Sequence, residues 1–474
     1  MNALNITTAS GSPLALDSDT FQAFAASLRG SALAPEHEQF DECRKIWNAM
    51  IDRRPGLIVQ CAGTADVMRS VNFAREHDLR ITVRGAGHNI AGSCIADGAM
   101  MIDLSGMRSV HVDPAARRAR VEPGATLGDL DHETQQFGLA TPVGVNSTTG
   151  IAGLTLGGGF GWLTRKYGLT IDNLLSVDVV TASGELLHAS PEENSELFWG
   201  IRGGGGNFGI VTSFEFALHE IGTQVLSGLI VYPFSEASSL MRFYREFVST
   251  APDELTVWLV LRKAPPLPFL PEEVHGTNVV VVAALYSGDM AEGEAVLQPL
   301  RDFGNPHADV IGPHQYAAWQ KAFDPLLTPG ERNYWKSHDF TELSDGALSL
   351  ILSYADTLPD DQSEVFIAQM GGATARVPSD ATAYVHRDAA FIMNVHGRWS
   401  NAGDDTRCVD WCRALFDATA PFATGGVYVN FMTEEEHERV RDAYGSSYAR
   451  LARLKQEMDP GNMFRNNQNI QPAA

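Results

Sequence analysis

A histidine stands among three glycines in "RGAGHNIAG" (84–92), directly after the strand-like "LRITV". Gly85, Gly87 and Gly92 permit positive φ or a close approach of backbone to a ligand, so this loop is expected to lie against something. His88 then either projects into that ligand or decorates the turn. Two further stretches are dense in glycine, "PVGVNSTTGIAGLTLGGGFGWLTRKYG" (142–168) and "WGIRGGGGNFGIVTSFEF" (199–216). Both interleave large apolar residues such as Ile151, Leu154, Phe160, Trp162, Phe208, Ile210 and Val211, which flexible Gly/Ser linkers lack. They read as folded backbone packed closely against a partner. A dinucleotide GxGxxG fingerprint fails because its third glycine position is Ile90, and a P-loop fails because no lysine follows a glycine. There is no HExxH or GxSxG motif, and the histidines show no metal-ligand spacing, so no metal site is expected. What remains is an anion-binding loop whose successive backbone N–H groups can hold a pyrophosphate.

The chain that positions these loops has 474 residues, long enough for two domains. Its net charge of −23 argues against a nucleic-acid partner or an anionic membrane surface, since both would repel it. The first thirty residues lack the basic and apolar regions of a secretory signal, and no apolar run approaches membrane-spanning length. Five scattered cysteines suit a reducing cytoplasm, with Cys408 and Cys412 read as small core residues of a helix.

Residues 57–83 read as strand, helix, strand, with Val67, Val71 and Ala74 on one helix face behind a Thr64 cap. "MMIDL", "SVHVD" and "RARVEPG" follow as short strands, then a capped helix "TLGDLDHETQQFG", and "LLSVDVVTASGELLHAS" reads as a hairpin. After about residue 218 glycine thins out. Strand-like "TVWLVLR" and "NVVVVAALY" then alternate with helical "ASSLMRFYREFVS", as expected for a second domain with an antiparallel sheet. The last fifty residues, with "GGVYVNF" and "DPGNMFRNNQNIQP", resume the style of the N-terminal half.

Six segments occur in one order: "RGAGHNIAG", "DGAMMIDLSGM", "GVNSTTGIAGLTLGGGFGWLTRKYGLTIDN", "ELFWGIRGGGGNFGIVTSFEF", "YVNF" and "DPGNMFRNNQNIQP". In this order they resemble the berberine-bridge-enzyme-like branch of the vanillyl-alcohol-oxidase (PCMH-type FAD-binding) flavoprotein superfamily, from about residue 50 to the C-terminus. The resemblance implies an α+β chain with a two-part FAD-binding domain: residues 1–217, completed by 425–474. A substrate-binding domain with an antiparallel sheet flanked by helices, 218–424, is inserted between them.

It implies FAD as cofactor, bonded through its 8α-methyl to His88. Asn146 stands where many relatives carry a cysteine that makes a second link, so a single covalent bond is expected. Cofactor contacts are implied for Arg84, Gly85, Ala86, Gly87, Asn89 and Gly92 in the first loop. In the second they are implied for Asn146, Thr149, Gly150, Gly153, Leu154, Gly158, Gly159, Gly161 and Trp162. Gly209, Ile210 and Val211 would lie against the adenine, and Tyr428, Asn462 and Gln468 would close over the cofactor. Tyr428 and Asn430 match a Tyr-x-Asn motif and are the candidate catalytic residues for positioning substrate and helping proton transfer; the bare alternative is a buried strand.

Thr149 occupies a position linked to oxygen access, and its small side chain favours an oxidase. "GGATARVPSDATAYVHRDAAF" and "ERNYWKSHDF" fit strands flooring the substrate cleft, where Tyr334, Trp335, Tyr384 and His386 could line it, or equally serve the core. The implied function is oxidation of a small molecule at a C–OH or C–N carbon, with O2 as electron acceptor and H2O2 as product. The alternatives are a flavin dehydrogenase using another acceptor and a flavin- or small-molecule-binding protein without turnover.

Overall fold

The computed structural model describes residues 3–473, and sheets of four, five and eight strands organise them. The expected strand, helix and strand form as Leu57–Gln60, Thr64–Glu76 and Ile81–Arg84. The two strands are not neighbours, however: Met100–Asp103 enters between them and runs parallel to both. These strands are covered on both faces, which is why they read as apolar runs rather than alternations. The helix buries Val67, Val71 and Ala74 as expected. Its cap differs from expectation, because Thr64 is already helical and Gly63 is the N-cap. The end is closed instead by Asp66, whose buried carboxylate accepts from the N–H groups of Ala62, Arg29 and Gly30 and so also ties in the preceding chain.

The five-stranded sheet is antiparallel, in the order Leu186–Ala189, Leu174–Val180, Ile210–Ala217, Arg118–Val121 and Val110–Asp113. The helix Leu127–Thr134 beside it begins with a Thr126/Asp129 capping box. Its core also takes in Val427, Val429, Leu451, Leu454 and Ile470, so the end of the chain completes a core begun by residues 119–218. Lys455 anchors this return. Its fully buried ammonium donates to Asp459 (2.7 Å), to the Asn207 carbonyl (2.8 Å) and to the Phe464 carbonyl (2.9 Å).

Between these parts the chain builds the eight-stranded antiparallel sheet, which includes Gln224–Pro233, Asn278–Tyr286, Leu255–Lys263, Glu364–Gln369, Phe391–Trp399 and Arg332–Phe340 in that spatial order. Successive side chains point to opposite faces. Leu255, Val257, Leu259 and Leu261 therefore join one core, with the helices Ala237–Val248, Asp345–Ala355 and Asp405–Thr419 against them. Cys408 and Cys412 are buried there. The intervening Trp258, Val260 and Arg262 face the glycine-rich part of the chain. "ERNYWKSHDF" forms a strand of this sheet as expected, but "GGATARVPSDATAYVHRDAAF" does not. That segment makes the short helix Ala373–Arg376 and an irregular passage, entering a strand only at Phe391, because Gly371 and Gly372 (φ +84° and +58°) turn the chain out of the sheet.

Candidate active site

The first two glycine-rich stretches, the open face of the eight-stranded sheet and the segment 428–431 line one cavity of about 320 Å³. Strand Ile81–Arg84 delivers the first loop to it. Arg84 does not reach the cavity: its guanidinium pairs with Asp103 (2.7 Å) and donates to the Cys43 carbonyl, which clamps the base of the loop. Gly87 (φ +73°) makes the turn that presents His88, and its carbonyl accepts from Trp47 N–H. The second loop approaches backbone to backbone, since a Cβ on Gly150 would stand 2.9 Å from that of Ala86.

His88 lines the cavity with its ring stacked on Trp47 (centroids 4.4 Å, 19°), and Trp47 meets Trp335 edge-on at 5.7 Å. Its Nε2 faces Asn146 Nδ2 at 3.5 Å and Thr148 Oγ1 at 3.4 Å. Burial pushes the imidazole pKa down to about 4, with the cationic Arg398 working in the same direction, so the ring is neutral and keeps a lone pair.

Asn430 reaches the cavity from a single 3-10 turn, Val429–Phe431, and Tyr428 from the N-cap position just before it, rather than from a strand. The Tyr428 hydroxyl accepts from the Gly159 N–H (3.1 Å) and from Asn430 Nδ2 (2.9 Å), and Asn430 also donates to the Leu154 carbonyl (3.2 Å). With both acceptor directions of its oxygen used, the hydroxyl proton is free to be donated into the cavity. Burial pushes its pKa up to about 12, so it stays a donor.

The sheet supplies residues that sequence reasoning does not single out. Cross-strand register puts Arg262 opposite Glu364, Glu364 opposite His396, and His396 opposite Trp335, forming one row on the cavity face. Arg262 pairs with Glu364 at 2.7 Å, and Glu364 Oε1 lies 3.5 Å from His396 Nδ1. Burial alone would raise the Glu364 carboxyl, but Arg262 and His396 outweigh it and hold it below its ordinary range. The other ring nitrogen, His396 Nε2, faces the Asn333 Oδ1 at 3.1 Å. Asn333 Nδ2 donates to the Glu331 carbonyl, which fixes that oxygen as an acceptor. Burial lowers the His396 pKa, and Glu364 opposes the shift. A neutral His396 has one N–H for two facing acceptors, so the pair is arranged to take up one proton.

The cavity thus brings together Gly85, Ala86, Gly87, His88, Asn89, Asn146, Thr149, Gly150, Gly153, Leu154, Trp162, Tyr428 and Asn430. The remaining expected positions lie outside its wall. Gly158 and Gly159 (φ +126° and +77°) support Tyr428 from behind, Gly161 packs against the Val143 carbonyl, and Gly92 (φ +66°) lies against Ile51. Gly209 packs on Val179 and Val180. Ile210 and Val211 pair with Val180 and Val179, their side chains in the cores. Asn462 (φ +49°) faces Gln471, and the Gln468 carbonyl accepts from Asn207 and Tyr444. Of the aromatic residues expected along the cleft only Trp335 reaches it. Tyr334 points to the opposite face and bonds Glu435, Tyr384 packs on Gly158 and Gly203, and His386 bonds the Ala443 carbonyl.

Two features fit a flavin dinucleotide. The glycines of two loops bare backbone at the cavity wall, the kind of surface that suits a pyrophosphate, and the indole N–H groups of Trp162, Trp258 and Trp335, all at the cavity, find no acceptor among the described residues.

Comparison with known proteins agrees. Residues 55–190 match the FAD binding domain family, and residues 427–471 match the family described as berberine and berberine like. The chain is 32% identical over 462 residues to (R)-6-hydroxynicotine oxidase of Paenarthrobacter nicotinovorans, covering 94% of this chain and 97% of that protein. It is 31% identical over 454 residues to an FAD-linked oxidoreductase of Dictyostelium discoideum, covering 95% and 96%. The crystal structure of 6-hydroxy-D-nicotine oxidase from Arthrobacter nicotinovorans matches the fold with a TM-score of 0.85 at 31% identity, over 94% of this chain and 99% of that one. With similarity running almost end to end, and both family segments meeting at one cavity, the chain belongs to the berberine-bridge-enzyme-like family of FAD-linked oxidoreductases, α+β in fold.

Proposed function

We propose that this chain is an oxidase with FAD attached covalently through His88, taking hydride from a C–OH or C–N carbon of a small molecule and giving its electrons to O2 as H2O2. The observation that carries the reading is the state of His88: a neutral, cavity-facing imidazole at the end of a glycine turn has the nucleophilic lone pair that attachment requires. FAD, when bound, supplies the hydride acceptor. Asn146 and Thr148 stand beside His88 where a second tether would need a thiol, which supports a single link.

Tyr428 keeps its proton and donates a hydrogen bond to the reacting oxygen or nitrogen, and Asn430 holds the hydroxyl in place. The Glu364–His396 pair on the cavity floor, with room for one proton between its facing atoms, takes up the proton that the substrate loses. Thr149 lines the cavity with a small side chain that leaves oxygen room to approach. In the same reading residues 1–217 and 425–474 hold the cofactor, 218–424 hold the substrate, and the chain works in the cytoplasm, a location supported by its five unpaired cysteines. The test is in-gel flavin fluorescence of the denatured protein, wild type against His88→Ala, with peroxide measured under turnover. A fluorescent band that disappears in the variant is expected; a band that persists removes His88 as the attachment point.

A further inference from the structure

Resting on the oxidase reading above, we infer that the cavity is built for an elongated, uncharged substrate with an apolar body, and that this body lies over a hydrocarbon lobe distant from His88. The sheet register lays out the cavity floor. One row reads Trp335, His396, Glu364, Arg262 and Val279 across five strands, and beside it Phe366, Val260, Val281 and Val231 form a second row. Neighbouring strands lie about 4.8 Å apart, so the first row spans about 19 Å.

The two ends differ in chemistry. At the Trp335 end, Trp47 connects the floor to His88. At the other end Leu229, Val231, Val260, Val279 and Val281 form an apolar patch, with Leu270 and Leu267 folded over it from the strap that follows Ala264. Pro265, Pro266, Pro268 and Pro271 stiffen the strap, Leu267 N–H bonds the Pro265 carbonyl (2.8 Å), and Leu270 N–H bonds the Leu267 carbonyl (3.0 Å).

The floor row carries only two charges, Arg262 and Glu364, and they are spent on each other. A saccharide body in this lobe would lose its hydration and gain no hydrogen bonds, a penalty an alkyl or aryl body does not incur. The lobe therefore selects for hydrocarbon, and the polar reacting group goes to Tyr428 and His396.

The experiment titrates flavin-loaded protein calorimetrically with 4-n-alkylbenzyl alcohols, methyl through octyl, and with cellobiose. The dissociation constant is expected to fall about fourfold for each added methylene, the ratio equivalent to about 0.8 kcal/mol. Cellobiose is expected to show no binding at millimolar concentration. Leu267→Asp, on the half-buried strap, and the isosteric Val281→Thr should each weaken the octyl compound more than tenfold while changing the methyl compound less than twofold. Affinity independent of chain length, or cellobiose bound more tightly than the butyl compound, would overturn the inference. Peroxide is read in parallel samples. Chain-length-dependent binding without peroxide removes the oxidase reading for these alcohols and leaves the lobe standing; peroxide from cellobiose removes the lobe and leaves the oxidase standing.

Discussion

Tyr428→Phe deletes one oxygen and keeps the ring that packs on Phe160 and Phe431, each at 4.9 Å between centroids. Two N–H donors lose their acceptor, those of Gly159 and Asn430. Orphaning a buried donor costs about 1–3 kcal/mol. Asn430 keeps the Leu154 carbonyl and cavity water can reach the vacated position, so a total loss of about 2 kcal/mol in stability is expected. The kinetic effect should be larger. A donor aimed at developing charge contributes about 10²–10³ in rate, and that factor should be lost from anaerobic flavin reduction followed by stopped flow.

The pH profile separates the donor from a base. Because burial pushes the Tyr428 pKa up to about 12, its hydroxyl is protonated throughout the neutral range. The variant should be slower by a constant factor from about pH 6 to about pH 9, with the profile's shape unchanged. A basic limb that vanishes in the variant would show that Tyr428 titrates within that window, and a rate within threefold of wild type would show that its proton is not used. Either result refutes the role drawn from its hydrogen bonds.

Thr149→Leu should slow reoxidation by O2 while leaving anaerobic reduction nearly unchanged, and equal effects on the two half-reactions would remove the steric argument for an oxidase. Lys455→Met leaves the buried Asp459 carboxylate without its cation, which should cost about 3–5 kcal/mol in chemical denaturation; a cost below about 1 kcal/mol would mean that the ammonium does not anchor the tail. His338 is buried, stacked on Phe416 at 4.1 Å, and burial pushes its pKa down to about 4. The unfolded chain takes the proton near pH 6.5 and the native state only near pH 4, so stability is intact above pH 6.5 and falls as pH drops through that interval, by about 3 kcal/mol in all. His338→Phe should flatten this slope in urea unfolding series; an unchanged slope would assign the acid sensitivity to other groups.

The glycine loops are legible in the sequence because their chemistry is local. Gly87 at φ +73° and the pair Gly158 and Gly159 at φ +126° and +77° are properties of a few consecutive residues, and these residues announce them by lacking side chains. The same holds for Tyr428 and Asn430, which share one turn. Thr64 reads as a cap and is not one, because Asp66, two residues later, reaches back with a carboxylate that serves three donors, a tertiary arrangement that local propensity does not record.

Of the adjacent pair Tyr334 and Trp335, a strand can send only one to the cavity, so the two are not independent candidates. The pleat decides for Trp335, with Tyr334 in the helix-covered core. The alignment of Arg262, Glu364 and His396 with Trp335 stays hidden for a different reason. The four residues are drawn from four strands, and only their register aligns them. "TVWLVLR" is apolar in both phases because one face meets helices and the other meets the cavity, so periodicity alone does not tell the two apart. A signal is nonetheless present. Arg262, Glu364 and His396 are ionisable groups inside strands otherwise rich in Val, Leu, Phe and Ile, and a sheet covered on both faces tolerates such groups only where they find partners or a ligand. Each marks the phase of its strand that faces the cavity. Along Glu364–Gln369 and Phe391–Trp399 such interruptions fall on the floor of the site, whereas Lys336 and His338, in the neighbouring strand, share the phase of Tyr334 and lie against Phe416, so an ionisable group marks the floor only once the register tells which face it takes.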